Sequence, residues 1–256
     1  MNLSVTYDFL PRTNSTRASR VMDHFGINFE QGQHVVAENL EVPIEPGCLT
    51  LFTGESGSGK SSLMKAAAER LREQGESVLN VDDLDLGDRL LVDRLPLKFE
   101  ESLQWLSACG LGEAHLMLRT PRELSDGQRY RFRLAVALAE QPDWILADEF
   151  TATLDRRLAR VIAANLRKIC SRVKTGFLLA TTHEDVVADL NPDVHITCRL
   201  DGGIQVDSGE SMVLNADADD RKKKVAASSP TSGSPAVPRP TGRTSLGGII
   251  AATASG

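Results

Sequence analysis

The sequence predicts an α/β fold with a mainly parallel sheet flanked by helices. Short apolar runs rich in β-branched or aromatic residues alternate with segments of helical period. Strands that alternate with helices fold as largely parallel sheets with right-handed crossovers. In addition, a glycine-rich turn joins one such run to one such helix. The strands are expected at 48–53 (CLTLFT), 77–81 (SVLNV), 143–148 (DWILAD), 176–182 (GFLLATT) and 194–200 (VHITCRL). Between them, residues 60–75 place Leu63, Ala67 and Leu71 on one helical face and stop at Gly75. Residues 99–110 and 127–141 also read as helices, as do 156–170, where Leu158, Val161, Ile162, Leu166 and Ile169 recur at helical spacing.

The 256 residues allow one sizeable domain. Apolar content of 41% and charged content of 25% are those of a soluble globular protein. The net charge of −6 does not mark a nucleic-acid binder. From Arg221 onward there are six Lys or Arg and no Asp or Glu, leaving −12 on residues 1–220. Residues 217–256 are Ser-, Pro-, Gly- and Ala-rich with few large apolar side chains, so they are expected to be a disordered low-complexity tail. The ordered part divides into an N-terminal segment, 1–20, and a domain over 21–210 whose stretch from about 85 to 140 is a short helical subdomain. The RKKK run at 221–224 reads as a solubilising end, or as a contact for acidic partners, which leaves nucleic acid unproven as a partner. Cys48, Cys109, Cys170 and Cys198 form no CxxC pair, which speaks against a zinc site and for reduced core thiols. No segment approaches 18 apolar residues and the N-terminus holds no signal-peptide run, so a cytoplasmic protein without a transmembrane segment is expected.

The turn reads Gly54-Glu55-Ser56-Gly57-Ser58-Gly59-Lys60-Ser61 and fits G-x-x-x-x-G-K-[ST], between an expected strand and an expected helix. Glycines let the backbone wrap so that successive N–H groups face phosphate oxygens, and the helix that runs on through Ser62 adds its positive end. Lys60 supplies a charge for the β- and γ-phosphates, and the Ser61 hydroxyl can coordinate Mg²⁺. The chain is therefore expected to be a P-loop NTPase that binds a nucleotide with Mg²⁺. The second requirement is a carboxylate on the metal. WILADEF offers Asp148 for that role at a strand end, with Glu149 beside it placed to polarise an attacking water.

With these motifs in place, LSDGQ at 124–128 resembles the signature of ATP-binding cassette (ABC-type) ATPases, TLD at 153–155 resembles their D-loop, and His183 in ATTHED falls where their switch histidine lies. The resemblance implies that Ser125, Gly127 and Gln128 contact ATP held by the P-loop of a second subunit, as in an ATP-sandwich homodimer. It implies that His183 contacts the γ-phosphate from the chain's own side and orients the water or Glu149, and that an aromatic stacks on adenine. Phe29 matches the family spacing for that aromatic best, with Phe25 as competitor; either could instead be a core residue.

The chain also departs from the transporter pattern. Only 65 positions separate Lys60 from Ser125, and no glutamine stands where the Q-loop residue is expected; Asp82, Asp83 or Asp93 could take over a metal-facing role. Asp126 replaces a signature glycine, which requires its carboxylate to point away or to pair with Arg129 or Arg131. FGI, ELSDGQRYRFRLA and ATTHEDVVADLNPD are similar to a narrower group of soluble ABC-type ATPases found with a predicted acetyltransferase domain. Two functions are therefore expected to compete: an ATPase that switches a separate partner protein, and the ATP-binding subunit of a membrane transporter whose permease is another chain.

Overall fold

The computed structural model describes residues 1–8, 10, 13, 15–27 and 33–209. The expected tail at 217–256 and the adenine-stacking candidate Phe29 lie outside these residues.

Strand β1 (Asn2–Asp8) pairs antiparallel with β2 (Gln33–Glu41), and helix α1 (Thr16–Phe25) lies between them in sequence. Leu3 and Val5 alternate with exposed Asn2 and Ser4, the period-two pattern of a strand buried on one face. The segment 1–20 thus contributes a strand whose inward side chains join the same apolar cluster as Phe52 and Leu63.

The main sheet comprises β3 (Leu49–Gly54), β4 (Val78–Asn80), β5 (Trp144–Ala147), β6 (Gly176–Thr181), β7 (Val194–Cys198) and β8 (Ile204–Ser208). Their order across the sheet is β4-β5-β6-β3-β7-β8. All neighbours run parallel except β7 and β8, which form an antiparallel hairpin. β3 and β6 are buried along almost their whole length, as a sheet covered on both faces demands.

Alternation along the strands divides the core in two. Phe52, Leu146, Leu178 and Ile196 face α2 (Lys60–Glu73) through its Leu63, Met64, Ala67 and Leu71. Leu51, Ile145, Phe177 and Leu179 face the opposite cluster. That cluster includes Phe132 and Leu134 of α6 (Asp126–Glu140) and Ile162 and Leu166 of α7 (Arg156–Cys170). Each fully buried Leu, Ile or Phe side chain contributes about 1.5–3 kcal/mol. Between β4 and β5 the chain runs through α3 (Leu91–Arg94), α4 (Phe99–Ala108) and α5 (Ala114–Met117) before α6. A final short helix, α8 (Val187–Leu190), follows β6. The four cysteines are free. Burial pushes the Cys109 thiol up to about 12 and those of Cys170 and Cys198 up to about 11, so they pack as small apolar groups.

Candidate functional site

Strands β5, β6 and β3 are neighbours and parallel, so their carboxyl ends open on the same edge of the sheet. In open α/β sheets ligands bind beyond that edge. Residues 54–60 leave β3 there and turn into α2. The tightness of the turn explains two of its glycines. Gly54 has φ +136°, and a Cβ on it would lie 2.0 Å from the Cys198 carbonyl oxygen; Gly59 has φ +90°, and its Cβ would lie 2.5 Å from Val36 Cγ1. Only glycine fits at both positions.

The loop encloses a cavity of about 580 Å³. Ser56, Gly57, Gly59, Lys60, Ser61 and Ser62 line one wall, and Asp148, Glu149 and Thr181 another. Lys60 is only 7% exposed, and its Nζ donates to the Glu55 carbonyl at 2.5 Å, across the loop it would serve. Ser61 Oγ donates to Asp148 Oδ1 at 2.9 Å. The hydroxyl and carboxylate that Mg²⁺ requires are therefore within contact of each other. Ser58 Oγ is buried and has no hydrogen-bond partner among the described residues, and it faces a separate cavity beside Arg199 rather than the P-loop cavity. The residues present fit a magnesium-bound nucleoside phosphate.

Asp148 and Glu149 owe their place to the turn after β5. Phe150 is fully buried and its N–H donates to Ala180 O of β6 at 2.7 Å, which pins the turn to the sheet. Glu149 is left exposed at φ +48°, a conformation that costs a non-glycine residue about 1 kcal/mol or more. Such an outlier marks a side chain held in place by its surroundings rather than by its own preference.

Other expected site residues lie apart from this cavity. His183 is half-buried one position beyond Thr182, the last lining residue, and its N–H donates to Thr181 Oγ1 at 3.1 Å. Ser125 caps α6: its hydroxyl accepts from Gln128 N–H at 3.3 Å, while Gln128 Oε1 accepts from Ser125 N–H at 3.0 Å. Ser125, Gly127 and Gln128 are not among the residues lining the P-loop cavity. Asp126 pairs with Arg129 at 3.1 Å, whereas Arg131 turns to the Gly110 and Gly127 carbonyls. Of the three acidic candidates for the Q-loop position, Asp82 lines a second cavity of about 310 Å³ with Asp148 and Glu149 and pairs with Arg133 at 3.7 Å. Asp83 accepts from Asn80 Nδ2 at 2.8 Å instead, and Asp93 lies in α3, away from both cavities.

Sequence reasoning missed Tyr7, which lines the P-loop cavity and is 46% exposed. Phe25 is 72% exposed in α1 and stands edge-on to His24. The period-two pattern of residues 2–6 was the available signal for Tyr7, since it marks a strand that leads there. A second missed residue is His195, whose Nε2 shares a 2.8 Å hydrogen bond with Thr53 Oγ1, directly below Gly54. Burial holds the imidazole below its usual range, against the opposing pull of Asp207 and Glu184. The unfolded chain therefore binds the extra proton. Stability from this group is intact above about pH 6.5 and is lost as pH falls toward the folded value. Melting curves between pH 7.5 and 5 should show His195→Gln losing less stability on acidification than the parent; parallel curves would show that His195 does not titrate in this window.

No family model matches the chain. It is 33% identical over 164 residues to the aliphatic sulfonates import ATP-binding protein SsuB of Delftia acidovorans, a match covering 59% of this chain and 68% of that protein. It is 27% identical over 227 residues to the lipoprotein-releasing system ATP-binding protein LolD of Pseudomonas syringae pv. tomato, covering 72% of this chain and 96% of that one. The fold matches the post-hydrolysis dimer of the ATP-binding cassette MJ0796 bound to ADP and Pi with a TM-score of 0.57 at 20% identity, over 81% of this chain and 97% of that one. With the P-loop, the Asp148–Glu149 pair and the capped LSDGQ helix in their order along this sheet, the chain belongs to the ATP-binding cassette family.

Proposed function

We propose that the chain binds Mg-ATP at the P-loop cavity and hydrolyses it to ADP and phosphate. The observation that carries this reading is the Ser61–Asp148 hydrogen bond at 2.9 Å, with buried Lys60 and exposed Glu149 lining the same cavity. Lys60 and the loop N–H groups would hold the phosphates, and Ser61 and Asp148 would hold Mg²⁺, which supplies charge neutralisation at the transferred phosphoryl group. Glu149 would take the proton of the attacking water, and His183 would orient it.

The signature residues act in this reading on the nucleotide of a second copy of the chain. Ser125 stands at the start of a 15-residue helix whose positive end lies outside the P-loop cavity of its own chain. Closing two copies head to tail would bring that end to the γ-phosphate and cover Glu149, which one copy leaves exposed. Ser125→Arg tests this by placing a long side chain in the closing surface. ATP binding to the monomer should persist while turnover falls at least tenfold; unchanged turnover would show the signature to be inert.

The ATP cycle would act on a separate partner protein from the cytoplasmic side. A permease partner is favoured by the names of the relatives, which are import or release system ATP-binding proteins. A soluble partner, including one with an acetyltransferase domain, is favoured by the short Lys60–Ser125 interval and by the lack of a glutamine where the Q-loop residue is expected. Among the described residues no helix is long and apolar enough to cross a membrane. Affinity purification of Glu149→Gln cross-linked in Mg-ATP separates the two: a specific integral membrane protein supports the first, and a soluble partner without a permease supports the second.

A further inference from the structure

Three arginines on α7 face three aspartates on the segment that follows His183. Arg160 Nε donates to Asp189 Oδ2 at 2.7 Å, and Arg167 Nη1 pairs with Asp193 Oδ1 at 2.9 Å. Asp193 also accepts from Leu49 N–H at 2.8 Å, at the start of the P-loop strand. These two pairs, with buried Val186 and Leu190, dock the segment on α7. The third pair differs in its place. Arg156 Nε donates to Asp185 Oδ2 at 3.0 Å while Nη2 donates to Asp185 Oδ1, a bidentate fork at the end of the ladder nearest His183.

Both members are fixed by the backbone around them. Arg156 opens α7 directly after Asp155, whose carboxylate caps the helix by accepting from Arg157 and Leu158 N–H at 3.1 and 3.0 Å. Asp185 sits in the 3₁₀ turn Glu184–Val186, for which His183 is the N-terminal flanking residue. The Asp185 carboxyl is held below its usual range chiefly by the Arg156 hydrogen bond, with a smaller contribution from His183, so the imidazole is within electrostatic reach. Arg156 Nη1 is buried and makes no hydrogen bond among the described residues, which commits the guanidinium to Asp185 alone. On the other side of Asp155, the Thr153 carbonyl packs so closely on Gly127 that a Cβ there would lie 3.0 Å away. A continuous path therefore runs from the signature helix through the 153–155 turn and Arg156–Asp185 to His183.

We propose that Arg156 and Asp185 are positioning residues that hold His183 in register with the 153–155 turn, so that closure of a second copy over that turn sets the histidine for hydrolysis. This rests on the proposed roles of His183 and the composite site.

The test is steady-state ATP turnover by the full chain, with kcat and KM for Mg-ATP measured separately. Arg156→Ala and Asp185→Ala should each lower kcat about tenfold, the size of effect expected from slightly misplacing a group, with KM changed less than twofold. The charge swap Arg156→Asp/Asp185→Arg should recover part of that loss, which a merely destabilised chain would not do. Arg160→Ala, one turn further along α7, should keep the parent kcat. Unchanged kcat in Arg156→Ala, or an equal fall in Arg160→Ala, would overturn the proposal while parental turnover leaves the ATPase reading standing. No turnover by the parent chain would overturn both.

Discussion

Lys60→Ala is expected to remove detectable Mg-ATP binding. Lys60 is buried at the start of α2, and its ammonium now donates to the carbonyl of Glu55, a residue of the loop itself. Hydrogen bonds from a charged group contribute about 1.5–3 kcal/mol each. Two phosphates served by one ammonium correspond to about a 10²–10⁴-fold loss of affinity. The fold should survive, because α2 is held by Leu63, Met64, Ala67 and Leu71 on its buried face rather than by Lys60. Titration with Mg-ATP and a thermal melt separate the two effects. A variant that melts normally and binds ATP with parental affinity would show that the phosphate does not sit in this loop.

The parts of the fold legible in the sequence are those where local pattern and final environment agree. β3, β5 and β6 are short apolar runs because both their faces are covered, and α2, α6 and α7 carry periodic apolar faces because each covers one side of that sheet. The expected boundaries at 48–53, 143–148 and 176–182 lie within a residue of β3, β5 and β6. β1, β2 and β8 escaped notice because each buries only part of its length, and β1 and β2 find each other across 24 intervening positions. That long-range pairing is what brings Tyr7 to the P-loop cavity, a placement that no pattern near Gly54 records. The site follows the same division. Gly54 to Ser61, Asp148 and Glu149 announce themselves by spacing and come together in space. The choice of Arg129 over Arg131 as partner of Asp126 was not legible, because Arg131 is drawn to the Gly110 carbonyl by the packing of the α4 end against α6. The Arg156–Asp185 fork needed the docking of α7 on the segment after β6, which no local pattern records.

Glu149→Gln is expected to keep ATP binding, slow hydrolysis by about 10²–10³-fold, and trap a dimer in Mg-ATP. The amide is nearly isosteric with the carboxylate, and Glu149 is exposed, so the turn pinned by Phe150 has no reason to move. What the amide cannot do is accept a proton from water, a role that contributes about 10²–10⁴ to rate. It also removes one negative charge next to Asp148, in a cavity that must take the negative charge of the phosphates. Both changes favour the ATP-bound closed state over the products, and a ligand can hold a closed state only through its differential affinity for it. Light scattering should therefore report twice the monomer mass with Mg-ATP and the monomer mass with Mg-ADP or after chelation of the metal. Parental turnover would remove Glu149 from the chemistry. A monomer at saturating Mg-ATP, with hydrolysis slowed as expected, would place the whole reaction within one chain and leave Ser125, Gly127 and Gln128 as nothing more than the cap of α6.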